Sequence, residues 1–219
     1  MGKLIVIEGV DASGKETQTG LLHQHLEKSG VKAARISFPD YSSDSSALVK
    51  MYLAGEIGAD PNAVSPYAAA LFYAADRYIS FKTKWGRLLE ENDYIIADRY
   101  VTSNIIYQAA KFESEAEKEQ FINWLNDLEY IRLGLPAPGK VLFLNMEPSA
   151  AAKLMSGRKN KITGEAEKDI HEKNTAYMLK AYNNACWVAQ KLGWTEIKCS
   201  INGEPRTIED ISIDIRESI

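Results

Sequence analysis

Along this chain, short continuous apolar runs alternate with stretches in which apolar residues recur every three or four positions. Residues 3–7 form a β-branched run that breaks into a glycine-containing segment at 9–14, the pattern of a buried strand feeding a turn. Residues 15–29 turn helical, with Leu22 and Leu26 four apart and Gly30 placed to cap the end. Residues 33–38 read as a second strand halted by Pro39. Ser65 followed by Pro66 is a strong helix start, and Ala68, Leu71, Phe72, Ala75 and Ile79 continue the helix behind it. Further strands are predicted at 94–97, 141–144 and 196–199, with one long helix over 168–192 and a last helix capped by Thr207. Five strands separated by helices predict an α/β fold with a parallel sheet wrapped on both faces.

The 219 residues suit one domain over 1–219, and the polar, basic stretch at about 156–170 reads as a mobile flap within it. A hydrophobic fraction of 45% and a charged fraction of 26% allow a sizeable core. The net charge of −4 argues against a nucleic-acid partner, although a small phosphorylated ligand needs only a few local cations. Cys186 and Cys199 lack metal or redox spacing and suit a reducing compartment. The first apolar run is stopped by Glu8, too early for a leader or a membrane span. A soluble, cytoplasmic protein with no membrane partner is expected.

Gly9, Val10, Asp11, Ala12, Ser13, Gly14 and Lys15 fit G-x-x-x-x-G-K between a strand and a helix. Glycines let backbone N–H groups curl round a phosphate chain, the helix offers its positive end, and the lysine reaches the outer phosphates. The next position, expected to carry a metal-binding hydroxyl, is Glu16, with Thr17 after it. Either Thr17 serves instead, or Mg²⁺ is held by the nucleotide, water and Asp11.

Asp98 and Arg99 close the strand at 94–97, where side chains enter the ligand crevice of a parallel sheet. Alone, that pair is as readily a strand-end ion pair. The longer run Asp98-Arg99-Tyr100, then Ser103, Asn104, Tyr107 and Gln108, closely resembles the signature of the thymidylate kinase family. Phe38-Pro39-Asp40-Tyr41, the helix segment from Leu71 to Arg77, and Gly134-Leu135-Pro136 match the same family in order. The resemblance covers essentially the whole chain. It implies a three-layer P-loop kinase fold with a five-stranded parallel sheet, and transfer of the γ-phosphoryl group of ATP to dTMP.

It also implies a division of labour. The residues from Gly9 to Thr17 would bind ATP, and Asp11 would meet the deoxyribose and, with Thr17, help place Mg²⁺. Lys15 and Arg99 would neutralise the transferring phosphoryl group. Tyr73 would stack on thymine, Arg77 would donate to its O4, and Asn104 would read the pyrimidine edge. Tyr107 would crowd the sugar C2′, and Phe38 and Tyr41 would wall the acceptor site alongside Ser103 and Gln108. The flap would be the family's lid. There Arg158, with Lys159 or Lys161, supplies a catalytic cation, and Asp169 and Glu172 face the acceptor side. His171 receives no proton chemistry, the adenine pocket would use Arg158 and the loop 202–206, and a homodimer is implied. Two rivals differ from this reading: a kinase of the same fold acting on another monophosphate, and an ATP-binding switch without turnover.

Overall fold

The computed structural model describes residues 2–155 and 169–219. The expected lid at about 156–170, with Arg158, Lys159 and Lys161, lies almost wholly outside the described residues. In chain order the main elements begin with β1 (Lys3–Glu8), α1 (Lys15–Lys28), β2 (Ala33–Ser37), α2 (Ala47–Leu53), α3 (Pro66–Ser80) and α4 (Gly86–Glu91). Next come β3 (Tyr94–Asp98), α5 (Val101–Tyr107), α6 (Glu115–Asn126), β4 (Lys140–Asn145), α7 (Pro148–Met155) and α8 (Ile170–Lys173). Last are α9 (Thr175–Lys191), β5 (Thr195–Lys198), β6 (Ser200–Ile201), β7 (Glu204–Pro205) and α10 (Ile208–Glu217).

Five strands form one parallel sheet in the order β2-β3-β1-β4-β5, as the alternating pattern predicts. Successive β1 side chains point to opposite faces, so both faces must be covered. Leu4 and Val6 pack with Trp85, Phe121 and Leu125 on one side, whereas Ile5 and Ile7 pack with Leu22, Leu26, Ile211 and Ile215 on the other. The chain passes from β1 to the edge strand β2, returns to β3, and only then reaches β4 on the far side of β1. That reversal leaves a crevice beyond the carboxyl end of β1, where such sheets bind ligands.

Helix ends follow the chemistry of their caps. The Ser65 hydroxyl accepts from the Ala68 N–H at 3.2 Å, an interaction whose loss costs about 1 kcal/mol. Ser114 and Glu117 form a reciprocal capping box, and the Thr207 hydroxyl caps α10. The single long helix expected over 168–192 is corrected. Asn174 breaks it, because its side-chain carbonyl takes the Tyr177 N–H at 2.9 Å and starts α9 afresh. Between α3 and α4 the chain runs through a π-helical turn, Phe81–Trp85, whose Trp85 joins Phe38 and Tyr100 in one three-ring cluster.

Candidate active site

Strand β1 ends on Glu8 beneath the crevice, and the loop after it wraps back on itself. Gly14 has φ +87, a conformation that a β-carbon disfavours, and it directs the first turn of α1 toward the cleft. A β-carbon at Gly9 would stand 2.6 Å from the Ser13 hydroxyl and 2.9 Å from the Leu144 carbonyl, so the loop closes tightly there. The Lys15 ammonium bends over the loop and donates to the Val10 carbonyl at 2.8 Å and toward the Ser13 hydroxyl at 3.4 Å. Burial, followed by repulsion from Arg99, lowers the Lys15 pKa to about 8.

The sequence-predicted partners meet this loop from β3 and α5. Arg99 takes φ +66, an uncommon conformation for a residue with a side chain, with its amide held by the Ile7 carbonyl at 3.2 Å. Its guanidinium donates to Asp11 at 2.5 Å, to the Ser103 hydroxyl at 3.3 Å and to the Gly9 carbonyl at 3.4 Å. The Tyr107 hydroxyl donates to the other Asp11 oxygen at 2.8 Å, while the Tyr107 ring lies 5.4 Å from the guanidinium carbon. Burial alone would raise the Asp11 carboxyl, but Arg99 and then Lys15 outweigh it and hold it at about 2. Asp11 is therefore an anion throughout the physiological range.

Beneath these groups lies a residue that sequence reasoning missed. Glu8 is fully buried, and its carboxylate accepts from the Gly9 N–H at 2.9 Å, the Thr102 hydroxyl at 2.7 Å and the Ser103 hydroxyl at 2.8 Å. It also stands 3.6 Å from Arg99. The signal was present: like Asp98, it is a lone acid at the carboxyl end of an apolar strand.

One cleft of about 450 Å³ is lined by the loop from Asp11 to Thr17 and by Phe38, Tyr41, Tyr73, Arg99, Ser103, Asn104, Tyr107 and Gln108. Most of the expected site thus surrounds a single space. Tyr41 and Phe38 are held there by α3, where buried Asp76 accepts from the Asp40 N–H at 2.9 Å and from Ser45 at 2.5 Å. The Phe38–Pro39 peptide is cis. Gln108 is buried, and its side-chain carbonyl has no partner among the described residues. From the loop 202–206, Pro205 and Arg206 reach the same cleft, with Arg206 paired to Asp214 at 2.6 Å.

Arg77 departs most from its expected place. It does not line the cleft but lies 1% exposed behind it, where Glu129 accepts from Nε at 2.6 Å and also from Nη2. Gly9 and Val10 likewise sit behind the lining, within the loop. The Glu172 side chain and Arg158 lie outside the described residues. His171 lines the cleft, stacked on Tyr107 at 5.6 Å and 3.0 Å from the Tyr52 hydroxyl, and burial keeps its ring neutral.

No group of three metal-ligating side chains occurs among the described residues. Asp11 and Thr17 share the wall with Lys15, so the donor set fits an Mg²⁺ that takes most of its ligands from phosphate oxygens and water.

Comparison with known proteins points to one family. The family model for thymidylate kinase matches residues 7–198. The thymidylate kinase of Mycobacterium tuberculosis is 35% identical over 172 residues, 78% of each chain. That of Danio rerio is 28% identical over 216 residues, covering 99% of this chain and 89% of its own. A solved thymidylate kinase from Candida albicans superposes with a TM-score of 0.72 at 27% identity, covering 100% of this chain and 91% of that one.

Proposed function

The chain belongs to the thymidylate kinase family, and we propose that, in phosphorylating dTMP to dTDP with ATP, it uses Lys15 and Arg99 to bridge the donor and acceptor phosphates. The observation that carries this reading is the Arg99–Asp11 contact at 2.5 Å, which joins the acceptor strand to the phosphate loop inside one cleft. ATP lays its phosphates along the backbone amides between Gly9 and Thr17, with Lys15 over the outer ones. The thymine ring stacks on Tyr73 and is read by Asn104 and Gln108, with Arg77 behind them. Tyr107 and Asp11 face the sugar, and Phe38, Tyr41 and Ser103 complete the wall.

Phosphoryl transfer needs alignment and charge neutralisation more than covalent help. An oxygen of the acceptor phosphate is itself the nucleophile, so the chain has no proton to remove. Its work is to hold two anions in line while Arg99 and Lys15 offset their repulsion. Mg²⁺ bound to the nucleotide, with Asp11 and Thr17 nearest, would supply further positive charge. Arg158 on the lid, and Glu172 at its end, are proposed to complete the site from above.

The single five-stranded sheet supports one kinase domain, and two free thiols suit the cytoplasm. No described helix is long and apolar enough to cross a membrane. Leu71 and Ile79 on α3, with Leu48 and Met51 on the adjoining α2, leave apolar side chains exposed, which supports a homodimer packed through core helices.

The test is ADP release with ATP and a panel of dTMP, dUMP, dCMP and AMP. The highest kcat/KM is expected with dTMP; preference for a non-thymine acceptor, or ATP binding without transfer, would contradict the reading.

A further inference from the structure

We propose that Glu129 is the positioning residue that sets which bases the acceptor site takes, by holding the Asn104 amide and the Arg77 guanidinium in one orientation. The inference rests on the reading of Asn104 as the residue that meets the pyrimidine edge.

Glu129 lies on the π-helical stretch Asp127–Arg132 that ends α6, in the inward row after Phe121, Ile122 and Leu125. A carboxylate in such a row is fully removed from water, and it must be paired there. Both its oxygens are engaged by Arg77, from Nε and from Nη2. One of them also takes the Asn104 side-chain N–H at 3.5 Å, and the same amide nitrogen donates to the Ala70 carbonyl at 3.3 Å.

That pairing decides which way the amide stands. A carboxylate and a backbone carbonyl have no hydrogen to give, so the NH₂ end of Asn104 must face them. The carbonyl end accepts no hydrogen bond among the described residues, and Asn104 lines the cleft. The cleft therefore presents an acceptor at this point. Thymine and uracil carry N–H at ring position 3 and satisfy it. Cytosine carries a bare lone pair there, which leaves two acceptors opposed. Sites that discriminate through a hydrogen bond are selective because the wrong partner strands a desolvated polar group. Glu129 also cancels the charge of Arg77, so the floor beneath a neutral base is itself neutral.

The experiment measures kcat and KM for dTMP and dCMP, with ATP, in the wild type and in Glu129→Gln. Glutamine fills the same space but puts an NH₂ where an acceptor stood, freeing the Asn104 amide to turn. The dTMP-to-dCMP ratio of kcat/KM is expected to fall at least tenfold, through KM, with the KM for ATP within twofold of wild type. A merely structural role would lower the melting temperature or the active fraction and scale both acceptors alike. If circular dichroism shows that Glu129→Gln does not fold, Glu129→Asp decides: it keeps the charge, shortens the reach, and is expected to show the same fall. An unchanged ratio in either folded variant overturns the inference alone. A wild-type preference for dCMP would overturn the dTMP reading and the inference together.

Discussion

The Arg99 guanidinium stands 2.5 Å from the Asp11 carboxylate, and this contact ties the carboxyl end of β3 to the phosphate loop after β1. Neither residue is free to swing, because Tyr107 holds the second Asp11 oxygen and Ser103 and Gly9 hold the other guanidinium nitrogen. A cation fixed in advance where negative charge concentrates is worth about 10²–10³ in rate. Steady-state kinetics of Arg99→Ala should show a loss of that order in kcat. Arg99→Lys should not restore it, since an ammonium cannot reproduce the planar fork. Turnover within tenfold of wild type in Arg99→Ala would remove Arg99 from the role given.

Lys15 sets a pH dependence. Its ammonium, lowered to about 8 by burial and by Arg99, is charged below that pH in the unliganded enzyme and neutral above it. Phosphate binding favours the charged form, so nucleotide affinity should weaken as pH rises from 7 through 9. Near pH 8, binding should also draw in protons. Calorimetric titrations with ATP in two buffers of different ionisation enthalpy read both effects; constant affinity with no proton uptake would contradict them.

Glu8 should show itself in stability as well as rate. Glu8→Gln keeps the shape but removes the charge that gathers the Gly9 N–H and the Thr102 and Ser103 hydroxyls. Hydrogen bonds to a buried charge contribute about 1.5–3 kcal/mol. Urea unfolding should register a loss of about that size, with kcat falling further than in Thr102→Val. Wild-type stability and turnover in Glu8→Gln would show that the anchor is dispensable.

At Gly14 the constraint is the backbone rather than space. A β-carbon there meets nothing within 4 Å, yet φ is +87. Gly14→Ala should cost about 1–2 kcal/mol from the left-handed conformation alone. Because the strain falls at the start of α1, ATP affinity should drop about tenfold, measured by fluorescence titration. An unaffected Kd would mean that the loop adjusts freely.

Much of this was legible in the chain because it is written locally. The three central strands β1, β3 and β4 hold continuous apolar runs, the edge strands β2 and β5 are shorter and mixed, and the glycines and Lys15 of the phosphate loop lie within seven residues. Arg99 follows its strand directly. What escaped depends on distant partners. Glu129 occupies an inward helical position, but in sequence it looks like any acid between Leu128 and Tyr130. Only Arg77, 52 residues away, explains it. The same pair explains why Arg77, expected at the cleft surface, lies behind it. The break at Asn174 was missed because the apolar spacing continues across it, although an asparagine that can take the N–H three residues on is a local start signal. The β6–β7 hairpin, with two-residue strands, is too short to show any period.

One cleft gripping both nucleotides is tested most directly with adenosine and thymidine joined by a polyphosphate chain. Isothermal titration should give one equivalent bound per chain, more tightly than either ATP or dTMP alone, and displaced by each of them. Two equivalents, or displacement by only one nucleotide, would mean that the phosphate loop and Arg99 serve separate sites.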